Sequence, residues 1–156
     1  MTVEGLKRIN VWGKAKDFAL KIYSQVLPLL PVEEKWNLNQ QLRRSFLSIS
    51  ANIAEGYGRF YYQENVRFCY IARGSLEETL SHLTFAIEAK FISAILYEQL
   101  EKEGEEIDKM LNGYIAYLKK SKQGANEPGA NAVISEDRPS YFTDMAETSS
   151  DDHTDL

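Results

Sequence analysis

The 156-residue sequence predicts an all-α fold, an up-down-up-down four-helix bundle with a disordered acidic C-terminal tail, and three observations carry that prediction. Apolar residues recur at three- and four-residue spacing in four long stretches, and no stretch alternates polar with apolar as a half-buried strand would. The links between these stretches are only a few residues, which makes consecutive helices antiparallel neighbours. Beyond Lys122 the composition turns to Gly, Asn, Pro, Ser and acids, with too little apolar surface to offset chain entropy. The chain therefore divides into a bundle domain, residues 1–121, and a tail, residues 122–156.

The first helix is expected over residues 10–29, with Val11, Ala15, Phe18, Ile22, Val26 and Leu29 on one face. Pro28 and Pro31 end it, because proline lacks the amide donor and clashes with the preceding turn. The second covers residues 38–57 through Leu42, Phe46, Ile49 and Ile53. Asn37 and Gln40 stand as a capping pair, and Gly56 and Gly58 offer a left-handed stop. The third covers residues 62–89, with Val66, Tyr70, Leu76, Leu80, Leu83 and Ile87. The fourth covers residues 94–120, with Leu96, Leu100, Ile107, Leu111, Tyr114 and Leu118, behind Ser93 as its N-cap. At 1.5 Å per residue such helices are about 30–40 Å long.

Length and composition exclude several classes of protein. Hydrophobic residues make up 44% and charged residues 26%, an ordinary globular balance with room for one domain. The single cysteine, Cys69, rules out an intrachain disulfide and reads as a small apolar helix residue. Lys14, Lys16, Asp17 and Lys21 interrupt the N-terminal apolar run. They leave neither a signal-peptide core nor the roughly 20 apolar residues of a membrane span, so a cytoplasmic protein without a membrane partner is expected. The net charge of −5 is uneven: Lys122 and Arg138 stand against eight acids in the tail, which carries −6 and leaves the body at +1. A nucleic-acid partner for the body stays open.

The middle two helices are apolar on two sides. Phe68, Ile71, Ser75 and Ala86 lie roughly opposite the Tyr70, Leu76, Leu80 face, and Leu47, Ala51 and Ala54, with Ser48 beside them, lie away from Leu42, Phe46 and Ile49. A helix apolar on two sides is buried twice. A homo-oligomer interface through Leu47, Ser48, Ala51, Ala54, Phe68, Ile71 and Ser75 is therefore expected.

Residues 48–78, SISANIAEGYGRFYYQENVRFCYIARGSLEE, closely resemble the signature of the four helix bundle protein family, also called the 23S rRNA intervening-sequence proteins. VWGKAKDFALKIY at residues 11–23 is similar to the family's opening helix, and LNQQLRRSFLSIS at residues 38–50 to its second, so the resemblance covers about residues 9–120. It implies a bundle that assembles as a pentameric, barrel-like ring without known enzymatic activity. The same superfamily includes the accessory variability determinant proteins of diversity-generating retroelements, basic pentamers that bind nucleic acid and assist a reverse transcriptase. The partners it implies are copies of the chain itself, RNA or DNA, and a reverse transcriptase. The chain departs from the family at Tyr61, commonly a serine able to cap the third helix, and at Asn65, commonly an aromatic. Its acidic tail lies outside the family pattern.

Five arginines fall between residues 43 and 73. Repeated around a ring, a modest patch becomes a strong phosphate-binding field, because each neutralised phosphate releases counterions. Arg43, Arg44, Arg59 and Arg67 are the nucleic-acid candidates, together with Tyr61 and Tyr62, whose rings beside Arg59 and Phe60 could stack on unpaired bases or plug the end of the bundle. Arg73 falls on the core side of its helix between Tyr70 and Leu76, where burial demands a carboxylate. Glu77, one turn on, and Glu55 of the same chain or of a neighbouring copy are the partners expected in a structural ion pair. The alternative is a protein-interaction scaffold with no nucleic-acid role, its arginines serving subunit contacts.

Catalytic, metal and cofactor readings find no support. His82 is the only histidine of the body, whereas a di-iron bundle needs paired Glu-x-x-His elements, and Glu78 with His82 reads as a surface hydrogen bond. Gly56 and Gly58 precede no lysine and follow a helix, unlike a phosphate loop. Glu98, Glu101, Glu103, Glu105, Glu106 and Asp108 form a solvated face or oppose a neighbour's arginines.

Overall fold

Where the 3.6-residue periodicity runs, helices form. The structure, a computed structural model, describes residues 3–126; residues 127–156, on which most of the predicted disordered tail falls, lie outside the described residues. Five α-helices follow one another: α1 (Val3–Lys7), α2 (Asn10–Gln25), α3 (Leu38–Tyr57), α4 (Tyr62–Glu88) and α5 (Ala94–Ser121). No strand occurs among the described residues, and none of their helices is long and apolar enough to cross a membrane. Consecutive long helices pack together and α5 closes back on α2, so that Phe18, Ile22, Leu42, Phe46, Ile49, Ile53, Leu76, Leu83, Leu100, Ile107 and Leu111 form one core.

Several local expectations are corrected. The short helix α1 precedes the first predicted one, and α2 stops at Gln25, with Pro28 inside a separate 3₁₀ turn over Leu27–Leu29. Proline is tolerated at the start of such a turn, where its missing amide has no partner to lose. Asn37 makes no side-chain cap. Glu34 does that work, accepting from the Leu38 amide at 3.2 Å and the Asn37 side-chain amide at 3.0 Å. Gly58 has φ −69°, ordinary helical backbone; the left-handed stops belong to Lys90 (φ 63°) and Lys122 (φ 47°). At Lys90 the Phe91 amide reaches back to the Ala86 carbonyl at 2.9 Å, a closing bond that satisfies an orphan carbonyl of α4. Ser93 caps α5 as predicted, accepting from the Leu96 amide at 3.2 Å.

The buried face of α4 is rotated from its predicted position. It runs through Asn65, Cys69, Ala72, Leu76, Thr79, Leu83 and Ala86, with Val66 and Ser75 beside it. Tyr70 and Leu80 are only half-buried. Ser75 and Ala86, expected on the outer side, are 8% and 0% exposed. The cause is the close approach of α3. Thr79 Oγ1 lies 3.0 Å from Ser45 Oγ and Ser75 Oγ 2.9 Å from Ser48 Oγ, a ladder of hydroxyls across the seam. At Gly56 a Cβ would stand 2.9 Å from the Asn65 carbonyl oxygen and from Phe68 Cβ. Small residues earn burial by letting backbones approach, which a wheel weighted by large residues misses.

Candidate nucleic-acid interface

The α3–α4 hairpin carries the arginines, and its geometry separates them into two groups. Arg43 and Arg44 lie in the second turn of α3, while Arg59 follows its end, about 23 Å away at 1.5 Å per residue. Arg43 Nε donates to Asn39 Oδ1 at 2.7 Å and its guanidinium sits 4.9 Å from the Tyr23 ring centroid. Arg44 reaches Glu78 at 2.8 Å, and Glu78 also lies 3.4 Å from His82. Arg59 pairs with Glu55 at 2.7 Å and covers Phe68 at 5.2 Å. Arg67 is exposed, with no ion pair among the described residues.

Within the chain, the predicted structural ion pair does not form. Arg73 is half-buried at the edge of the core, where it donates to Asn112 Oδ1 at 3.2 Å and lies 4.9 Å from the Tyr70 ring centroid. Glu55 serves Arg59 instead, and Glu77 is exposed. A guanidinium that keeps contact with water at a helix edge needs no carboxylate.

Of the predicted interface residues, Leu47 (57% exposed), Ala51 and Ile71 (43%) form the open outer face of α3 and α4. Ser48, Ala54 and Phe68 are half-buried within the chain, and Ser75 is buried on the hydroxyl ladder. The hydroxyls of Ser48 and Ser75 are thus used inside the hairpin.

Where α3 turns into α4, large aromatic residues replace small ones. Phe60 and Tyr61 meet edge to face, ring centroids 5.2 Å apart, and Tyr61 packs on Gly124, where a Cβ would come 2.6 Å from its ring. Gly124 has φ +79°, left-handed backbone that glycine adopts more readily than any residue with a side chain. The Tyr62 amide donates to the Gln123 carbonyl at 3.1 Å, so α4 starts without a side-chain cap, on backbone from the segment after α5.

Two clefts open at this end, sharing the wall Tyr57, Tyr114 and Tyr117. One, of about 450 Å³, adds Arg59, Phe60, Tyr62 and Asn65. The other, of about 550 Å³, adds Arg8, Ile9, Asn10 and Met110. Asn65 Nδ2 donates to Tyr114 Oη at 3.3 Å, and burial raises the Tyr114 phenol above its ordinary value. Tyr114 and Tyr117, three residues apart on α5, hold nearly parallel rings with centroids 6.4 Å apart. Neither Arg8 nor this tyrosine wall was singled out from the sequence as a site. Tyr114 fits the core periodicity of α5, and only its partnership with Tyr117 and Tyr57, which are remote or off that face, gives it another meaning.

Cys69 is fully buried, and burial pushes its thiol up to about 12, so it is protonated at neutral pH. No three His, Cys, Asp or Glu side chains gather as metal ligands among the described residues. Acids of α5 face α2: Glu106 pairs with Lys14 at 3.0 Å, and Glu103 with Lys21.

A family model described as 23S rRNA-intervening sequence protein matches residues 7–113. The chain is also similar to a crystal structure of a protein of unknown function from the S23 ribosomal protein family of Bacteroides thetaiotaomicron. The two are 28% identical with a TM-score of 0.62, over 67% of this chain and 97% of that one. No curated protein matches the chain.

Proposed function

The chain belongs to the 23S rRNA-intervening sequence protein family, and from that premise we propose a non-catalytic four-helix bundle that assembles with copies of itself and binds RNA or DNA. The observation that carries the reading is the outer side of the α3–α4 hairpin, where exposed Leu47, Ala51 and Ile71 lie on the helices that also bear exposed Arg43, Arg44 and Arg67. Apolar residues left open there suit a second copy, and assembly multiplies a weak positive patch into a field a polyanion feels. A ring of five copies, and an accessory role beside a reverse transcriptase, are what the family resemblance adds.

Salt-dependent binding tests it. The chain should bind single- or double-stranded oligonucleotides at low salt, lose affinity steeply as salt rises, and lose it uniformly across sequences in Arg43→Ala/Arg44→Ala. No binding at low salt would end this reading. Light scattering should give an oligomer for both proteins. The described residues end just after the Gly124 turn packed on Tyr61, and the sequence from residue 127 onward carries eight acids against Arg138. Removing residues 127–156 should tighten binding most at low salt, where screening is least.

A second reading, a protein-interaction scaffold, draws on the pairing of Arg44 with Glu78 and of Arg59 with Glu55. Arginines already neutralised within the chain are poor phosphate clamps. This reading expects Arg43→Ala/Arg44→Ala to break the oligomer.

A further inference from the structure

We propose that the two clefts at the tyrosine end hold unpaired nucleobases, which makes the ligand of the preceding reading single-stranded; the proposal rests on that reading for its polymer and on the clefts for its chemistry. The core does not explain this end. Tyr117 is 66% exposed, although it stands beside Tyr114 with its ring tilted by only 15°. A π face left in water beside an open cleft is a stacking platform, and because every base has a π face, such a platform tolerates sequence.

The polar groups fit the same class of ligand. Each cleft brings one guanidinium to the shared tyrosine wall, Arg59 on one side, where Glu55 already pairs with it, and Arg8, unpaired among the described residues, on the other. The Arg8 cleft is therefore the one that supplies a phosphate contact. A flat heterocycle joined to a phosphate needs that combination, a ring to stack on and a planar cation within a nucleotide's length. Arg8 has no ion-pair partner among the described residues, so its charge is available. Asn65, 7% exposed, contributes an amide to the Arg59 cleft. One of its two N–H donors goes to Tyr114 Oη, leaving the other for a ring nitrogen or carbonyl on a base edge. A duplex cannot use these features, because its bases are stacked on one another and its edges are paired. At about 450 and 550 Å³, the clefts are within the usual range of small-molecule sites, roughly 300–1,000 Å³.

The full chain tests the proposal in two measurements. In saturation-transfer NMR, adenosine 5′-monophosphate should receive magnetisation at its base protons, whereas ribose 5-phosphate, with the same phosphate and no base, should receive little. Tyr117→Leu should remove most of the transfer and Tyr117→Phe should keep it. Both variants change an exposed side chain, and thermal melting monitored by circular dichroism confirms that they fold. In fluorescence anisotropy, a single-stranded oligonucleotide should bind about fivefold or more tightly than an abasic strand of equal length, the smallest effect expected of one stacked base, and Tyr117→Leu should erase the difference. Equal binding of the two strands would overturn the base site and leave polyanion binding standing. Base contact with the mononucleotide, in a chain that binds no oligonucleotide, would uphold the site and overturn the reading it rests on. Absence of transfer to the mononucleotide overturns the proposal.

Discussion

The α3–α4 seam and the tyrosine end of the same hairpin lie a few helical turns apart and solve opposite problems. Along the seam, Ser45, Ser48, Ala72, Ser75 and Thr79 let the helices close, and the hydroxyls find partners inside the chain. At the end, Tyr57, Tyr62, Tyr114 and Tyr117 line two open clefts. Small side chains spend their polar atoms on the fold; large amphipathic ones leave both surface and hydrogen-bonding capacity for a partner. The seam should therefore be sensitive to stability mutations and indifferent in binding, and the end the reverse.

The largest break in that contrast comes from the core beneath the seam. Leu76 is 0% exposed, so Leu76→Ala should cost about 2–5 kcal/mol in lost transfer energy and cavity. Tyr117→Leu, at an exposed position, should stay within about 0.5 kcal/mol. Urea denaturation of both variants checks the pair, and comparable losses would mean that the tyrosine end belongs to the core.

Two glycines sharpen it further. Both Gly56 and Gly74 lie in helices, where alanine is intrinsically better by about 1 kcal/mol. A Cβ on Gly74 meets nothing within 4 Å, whereas one on Gly56 meets backbone of α4 at 2.9 Å. Overpacking costs about 1–3 kcal/mol, so the sign should differ: Gly74→Ala should raise the denaturation midpoint and Gly56→Ala lower it. A midpoint raised by both would show that the seam can widen. A smaller effect is expected at Thr79→Val, which keeps the shape and removes the hydroxyl shared with Ser45 and the Ser75 carbonyl. About 1 kcal/mol should be lost. The paired Ser45→Ala change should then cost less in the Thr79→Val background than alone, a coupling that a double-mutant cycle reads directly.

The same contrast explains what the sequence made legible. The long helices were readable because Leu42, Phe46, Ile49 and Ile53, or Leu100, Ile107 and Leu111, repeat at the helical period in large side chains. The bounds of α3 and α4 were within a residue of those predicted. The register of α4 was not readable, because Cys69, Ala72, Ser75 and Ala86 are buried by how near α3 comes, a distance no single helix encodes. Arg73 was misplaced for the same reason: a small rotation moves it from core to edge, beside Asn112. Arg59 and Tyr62 are near neighbours in sequence, so their place in one cleft is legible without the fold. Arg8, Tyr57, Tyr114 and Tyr117 come from three separate segments, and only folding brings them to one cleft.

The smallest expected effect belongs to the opposite seam, between α2 and α5, which is bridged by two lysine–glutamate pairs where the α3–α4 seam is bridged by hydroxyls and one ion pair, Arg44 with Glu78. The hydrogen bond and charge of Lys14 hold the Glu106 carboxyl below its ordinary value of 4.5, and Glu106 in turn holds Lys14 above its ordinary 10.5. The stabilisation is therefore present above the ordinary carboxylate value and lost as pH falls through the lowered one. At the alkaline end it is present below 10.5 and lost as pH rises through the raised lysine value. Both groups lie in solvent, so the effect is small and screened. Glu106→Gln should lower the denaturation midpoint slightly at neutral pH and low salt. The difference should vanish well below pH 4.5, where the wild-type carboxyl is also neutral, and shrink at neutral pH near 1 M salt, where the Debye length falls to about 3 Å. A difference that survives both acid and salt would mean that Glu106 acts through its aliphatic stem packed on α2. The two seams would then differ in shape and not in electrostatics.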